Sequence, residues 1–329
     1  MRTYDFDPEP HEAQVQAIVS ALAAKPELDD RGLQRLLTRH PKAPGALFSK
    51  SELIRAIRHF GPRHAWDAPR IIERLRMKPV RSHSGVAPVT VLTKPFPCPG
   101  RCVFCPNDVR MPKSYLSMEP GAQRAAQNRF DPYAQTTTRL RAFFANGHAV
   151  DKIELIVLGG TWTHYPEAYR IWFIERCFAA LNDFDPATSS TEPSAPSHRP
   201  DVAYDALPEK LDGRAPNLRY NRIVQSFWRS RPSAAATETA SWSELEAAHI
   251  RNQDAHARCV GLSLETRPDE VDETTVRELR RLGATKIQIG LQSLDDDILE
   301  RNQRGHDVAT SRRAVALLRA AGFKVQAHW

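Results

Sequence analysis

Three of the chain's five cysteines fall in one short stretch, Cys98-Pro99-Gly100-Arg101-Cys102-Val103-Phe104-Cys105, spaced C-x3-C-x2-C and framed by Pro97 and Pro106. This cluster constrains the fold more than any other feature, because one loop must turn three thiols towards a common centre. A redox-inert tetrahedral zinc site takes four protein ligands. An iron–sulfur cube can instead be held by thiolates at three of its irons, with the fourth open to an exogenous ligand. Cys177 and Cys259 stand in apolar surroundings and read as core residues. The cysteines show no paired spacing, so a disulfide framework is not expected, and a cluster of free thiols suits a reducing cytosol.

Downstream of the cluster the chain alternates between two periodicities. Short β-branched runs at 84–92, 152–158, 259–269, 285–293 and 323–329 read as five strands. Helical spacing fills 134–146, 167–182, 242–254, 272–282 and 308–321 between them. Strand–helix–strand alternation predicts an α/β fold with a parallel sheet, which right-handed crossovers curl into a barrel. In such barrels the chemistry sits at the C-terminal ends of the strands. The cysteine loop follows the first strand. Gly159-Gly160-Thr161 ends the second and reads either as an ordinary turn or as a place of close ligand approach. Glu265 and Arg267, then Gln292 and Ser293, close the third and fourth. Glu265 could accept from a ribose hydroxyl and Arg267 could pair with a carboxylate, or the two could form a structural ion pair.

Residues 1–80 read as a small helical domain ahead of the barrel at 81–329. Apolar faces are formed by Val15, Ile18, Val19 and Leu22, by Leu33, Leu36 and Leu37, by Leu53, Ile54 and Ile57, and by Ile71, Ile72 and Leu75. The net charge is +7, and nearly all the excess lies between Lys50 and Arg81, with nine basic residues against three acidic ones. That segment reads as a solvated helix face or as a phosphate-binding surface, with Arg55, Arg58, Arg74, Lys78 and Arg81 as candidates. From about 183 to 241 the composition turns rich in Pro, Ser, Ala and Thr and reads as a loop or disordered insertion. An apolar island, Tyr220 to Trp228, could dock back on the body. The start of the chain has no apolar run of signal-peptide type, and no membrane span is expected. The chain stops inside the last strand, which suggests a fragment.

The three-cysteine spacing resembles the signature of the radical S-adenosylmethionine (SAM) superfamily. A closer resemblance is carried by several further motifs: 75–86, the cysteine loop, Tyr115 with Glu119-Pro120, Arg129-Phe130-Asp131-Pro132-Tyr133, 147–152, Gly159-Gly160-Thr161, Glu265-Thr266-Arg267-Pro268-Asp269, and Asn302-Gln303-Arg304-Gly305-His306. Together they resemble the catalytic subunit of Elongator in its archaeal and bacterial single-chain form, from about residue 50 onwards. The resemblance implies a partial TIM-like radical SAM barrel preceded by a small basic helical domain that binds tRNA. It implies an enzyme of the acyltransferase class that converts the wobble uridine of tRNA to 5-carboxymethyluridine, with acetyl-CoA as the two-carbon donor.

The same resemblance places a 4Fe-4S cluster on Cys98, Cys102 and Cys105. It places SAM near Gly159, Gly160, Thr161, Glu265, Arg267 and Gln292, and acetyl-CoA at Lys152. It implies an electron donor for the cluster, a cytoplasmic location, no membrane association, and assembly as a homodimer as one option. The family continues past Trp329 with the rest of the barrel and an acetyltransferase domain, so full turnover is not expected of this chain alone. Two alternatives remain open. One is another radical SAM tRNA-modifying enzyme, although methylthiotransferase-like members carry a second cysteine trio. The other is a zinc-stabilised RNA-binding module, with His83 or Asp108 as the fourth ligand.

Overall fold

The helical spacing near the N-terminus becomes four helices in the computed structural model, which describes residues 6–25, 27–106, 108–187, 207, 216–231 and 236–329. These are α1 (Glu12–Ala24), α2 (Asp30–Arg39), α3 (Lys50–His64) and α4 (Ala68–Leu75). Their starts follow from capping side chains that satisfy otherwise orphaned amides. Asp29 accepts from the Gly32 N–H at 2.7 Å. Ser49 and Glu52 form a reciprocal capping box. The apolar faces meet in one core that includes Val15, Ile18, Leu22, Leu33, Leu53, Ile57, Phe60 and Leu75. One compact unit takes in the chain up to Ala87 together with Leu140–Val150; the other holds Pro88–Arg139, Asp151–Phe184 and the stretch from Ser194 to Trp329.

The second unit is built on five strands: β1 (Ala87–Leu92), β2 (Lys152–Leu158), β3 (Arg258–Thr266), β4 (Lys286–Gly290) and β5 (Lys324–His328). They form one sheet in strictly sequential order, β1-β2-β3-β4-β5. The pairs from β2 to β5 are parallel, with Leu155 opposite Leu262, Leu264 opposite Ile287 and Ile287 opposite Val325. A register shift at Ile153/Glu154 bends β2. On β2 every second residue, Ile153, Leu155 and Val157, is fully buried, the period expected of a strand with one covered face.

Helices α5 (Pro120–Gln127), α6 (Pro132–Ala145), α7 (Glu167–Asn182), α8 (Pro216–Arg229), α9 (Trp242–Asn252), α10 (Glu273–Arg281), α11 (Asp296–Arg301) and α12 (Val308–Ala320) follow along the chain. Helix α10 is capped by Asp272, which accepts from the Thr275 N–H, as expected. Cys177 lies fully buried on α7, the core position expected of it. The expected five-stranded α/β barrel arc is present. The insertion is expected to be loop or disorder apart from an apolar island that could dock back, and that island, Tyr220–Trp228, is part of α8. Its spacing of Tyr220, Val224 and Phe227 puts all three on one buried face, packed with Val109. Much of the rest of the insertion lies outside the described residues.

Candidate active site

Because paired strands run parallel, their C-terminal ends share one edge of the sheet, and the loops leaving that edge build the site. After β1 the chain runs through Thr93–Pro97 into the cysteine loop. Cys102 is buried and Cys98 and Cys105 half-buried, while Val103 and Phe104 are exposed. All five cysteines are free thiols.

Cations surround this loop. Arg304 donates from Nη1 to Cys102 Sγ at 3.0 Å and from Nη2 to the Gly290 carbonyl at 2.7 Å. Arg267 donates to Cys102 Sγ at 3.4 Å. Its other donors go to Asp269, at 2.9 and 2.8 Å, and to the Arg304 carbonyl. Buried Lys113 donates to the Pro106 carbonyl at 3.1 Å. Burial lowers its pKa, and the charges of Cys105, Cys98 and Cys102 raise it. A hydrogen bond from Cys105, with Arg304 and Arg267 behind it, pulls the Cys102 thiol well below its ordinary range. Burial raises the Asp269 carboxyl, but contacts with His306 and Arg267 hold it at about 2.

The second strand's turn closes over the same loop. Thr161 Oγ1 lies 3.6 Å from Cys98 Sγ. A Cβ on Gly159 would meet Thr93 Oγ1 at 1.8 Å, and one on Gly160 would meet the Lys113 carbonyl at 3.3 Å. With φ of 141° and 95°, both glycines hold backbone that L-residues rarely adopt, and at Gly159 the Thr93 side chain fills the space of a Cβ. Glu265, at the end of β3, accepts from the Tyr115 hydroxyl at 2.8 Å, and burial raises its pKa. Gln292 adopts φ 69° after β4. With Phe104, Ser293, Ile298, Leu299, Asn302 and Arg304 it lines a cavity of about 200 Å³.

The structure thus brings Cys98, Cys102, Cys105, Thr161, Glu265, Arg267 and Gln292 to one edge. It does not bring Lys152 there. Lys152 is the first residue of β2, exposed and in register with Arg258, at the opposite end of the strand. At roughly 3.3 Å per residue this separates it from Gly159 by about 20 Å. Arg267 was expected to meet a carboxylate, and the one it meets is the protein's own Asp269. Sequence reasoning gave no role to Arg304, Lys113 or Tyr115, although two of them stood in quoted motifs.

Among the tRNA candidates, Lys78 and Arg81 are exposed. Arg58 stacks 3.5 Å from the Phe144 ring centroid and donates to the Phe144 carbonyl at 2.9 Å. Arg74 donates to the carbonyls of Leu22 and Lys25. Both bridge parts of the helical unit, with one Arg58 donor and two Arg74 donors engaged by backbone carbonyls. A cationic surface missed by the count over 50–81 lies on α2, where Arg31, Gln34, Arg35, Thr38 and Arg39 line a cleft of about 400 Å³. Arginines at i, i+4 and i+8 share one helix face, a signal that was available in the sequence.

Among the described residues no three His, Cys, Asp or Glu side chains are gathered around a single-ion position. The donor chemistry of the loop nonetheless fits an iron–sulfur cluster. One short loop carries the three thiols, all of them act on the charge of Lys113, and Arg267 and Arg304 donate to Cys102, so cationic groups offset thiolate charge. Asp108, a suggested fourth zinc ligand, is engaged by Arg110 at 3.6 Å. His83 lies in the helical unit.

A sequence model of the Radical SAM superfamily matches residues 237–328. In keeping with the parallel sheet and the three-thiol loop, this match makes the chain similar to the radical SAM superfamily, whose members use a 4Fe-4S cluster and SAM. Within that class it is a homologue of a tRNA uridine(34) acetyltransferase from Methanocaldococcus jannaschii, 34% identical over 264 residues that cover 78% of this chain and 38% of the relative. It is likewise a homologue of Elongator complex protein 3 from Schizosaccharomyces pombe, 30% identical over 289 residues, 84% of this chain and 42% of that one. Among solved structures, the archaeal Methanocaldococcus infernus Elp3 with an N-terminal deletion (1-46) aligns at a TM-score of 0.46 and 27% identity, over 74% of this chain and 37% of that one. The chain spans about two fifths of the length of these curated relatives. No helix among the described residues is long and apolar enough to cross a membrane.

Proposed function

We propose that this chain binds a 4Fe-4S cluster through Cys98, Cys102 and Cys105, and SAM beside it, as part of an enzyme that converts the wobble uridine of tRNA to 5-carboxymethyluridine with acetyl-CoA as co-substrate. The observation that carries this reading is the convergence of three thiols with Arg267, Arg304 and Lys113 at the C-terminal edge of the sheet. When bound, the cluster and SAM together supply one-electron radical chemistry. The chain's own residues position and shield. Arg304 and Arg267 donate to the Cys102 sulfur and, with a hydrogen bond from Cys105, favour its thiolate form. Glu265, kept in place by Tyr115, is the acceptor for a ribose hydroxyl, and the cavity beside Gln292 supports SAM binding at this edge. Acetyl-CoA at Lys152 rests on the resemblance alone, and the distance of Lys152 from the cysteines argues for a separate contact.

The test is anaerobic reconstitution followed by an assay of SAM cleavage with tRNA and acetyl-CoA present. Iron uptake with tRNA-stimulated cleavage supports the reading. Stoichiometric zinc without iron would reject the cluster reading.

For tRNA, the exposed arginines of α2 and the exposed Lys78 and Arg81 support a phosphate-binding surface on the helical unit. Replacing Arg31, Arg35 and Arg39 with glutamine is expected to weaken tRNA binding and to flatten the slope of log K against log salt by roughly 2 to 3, the loss of about three phosphate contacts. Filter binding across a salt series reads this directly. An unchanged slope removes α2 from the interface.

A further inference from the structure

Pro97 and Pro99 flank Cys98 and have no N–H. The Cys98 amide is therefore the only backbone donor in that tripeptide, and no described helix or strand pairs it. Buried or half-buried backbone groups need partners. Here both come from one side chain on the insertion helix. The Cys98 N–H donates to Asn221 Oδ1 at 3.0 Å, and Asn221 Nδ2 donates to the Cys98 carbonyl at 2.8 Å.

Neighbouring contacts show that this is a fastening of the whole helix. The Tyr220 hydroxyl donates to the Met111 carbonyl at 2.9 Å, and Trp228 Nε1 donates to the Pro95 carbonyl at 2.8 Å. Lys94 is buried, paired with Glu238, and sits 3.6 Å from the Trp228 ring centroid. Lys113 sits 4.5 Å from the Tyr220 ring centroid. Helix α8 therefore holds the backbone before, at and after the cysteine loop.

We propose that α8, carried by the low-complexity insertion, is a positioning element of the cysteine loop, and that Asn221 is the positioning residue that aims the Cys98 sulfur. The inference rests on the cluster reading above. Prolines on either side already restrict the backbone at Cys98, and the two-bond grip of Asn221 orients what freedom remains. Cys98 Sγ has the Gly100 N–H at 3.4 Å and Thr161 Oγ1 at 3.6 Å within reach.

The experiment compares wild type, Asn221→Ala and Tyr220→Phe, each as the full chain reconstituted anaerobically. The readouts are the rate of iron loss to a chelator and the EPR spectrum of the reduced protein. Asn221→Ala is expected to lose iron about tenfold faster, the effect of about one to two hydrogen bonds on a rate, and to show a changed spectrum. Tyr220→Phe removes a hydrogen bond that fastens the same helix without touching a cysteine, and is expected to show a smaller change in the same direction. A wild-type iron-loss rate and spectrum in Asn221→Ala would overturn the proposal. A wild type that takes up no iron would remove the cluster reading itself.

Discussion

Cys102→Ala is expected to leave the reconstituted protein with less than about one tenth of the wild-type iron and without the brown colour of the cluster. Cys102 is the most buried of the three thiols and accepts from both Arg304 and Arg267. A cluster held at two corners loses both a bond and the sulfur on which the cationic surroundings converge. The variant should still fold. Arg267 keeps its bonds to Asp269 and to the Arg304 carbonyl, and Arg304 keeps the Gly290 carbonyl. Iron analysis and visible absorption, beside an unfolding curve of the metal-free protein, separate loss of the site from loss of the fold. Near-stoichiometric iron in a folded Cys102→Ala protein would reject the ligand assignment.

Gly159→Ala is expected to destabilise the fold by about 4 kcal/mol, the sum of a backbone held where L-residues are strained and a steric overlap in a packed interior. Gly159 has φ 141°. Its missing Cβ would lie 1.8 Å from Thr93 Oγ1 and 3.1 Å from the Thr93 nitrogen. Thr93 cannot move aside cheaply. Its N–H donates to the Leu158 carbonyl at 2.9 Å, and its hydroxyl is hydrogen-bonded to Tyr165 at 2.8 Å. Urea unfolding gives the measurement, and a loss of less than about 1 kcal/mol would show that the turn relaxes freely.

The barrel arc was legible because its signals are local. Strand runs such as 152–158 alternate with capped helices such as Glu273–Arg281, and each crossover joins sequence neighbours. The cysteine loop was legible as a count and a spacing. What surrounds it was less so. Arg304 and Lys113 act through distances set by the fold, and a lone arginine or lysine carries no periodic signal. The charge count over Lys50–Arg81 treated every base alike. The fold separates Arg58 and Arg74, which brace carbonyls, from Lys78 and Arg81, which face solvent. Asn221 was hidden for a further reason. Its partner is 123 residues away, inside a region whose composition argues for disorder.

The sequential strand order makes the insertion inexpensive in chain entropy. The β3–β4 link runs only from Thr266 to Lys286. The link from β2 to β3 contains α7, the insertion and α9, and the extra segment makes it about two and a half times as long. Loop-closure cost rises only logarithmically, by about 0.6 kcal/mol per doubling. One net hydrogen bond from α8, worth about 1 kcal/mol, offsets that increment. The β2–β3 connection is thus a place where the sheet tolerates variation in length, provided that a longer connection returns a helix to the loop after β1.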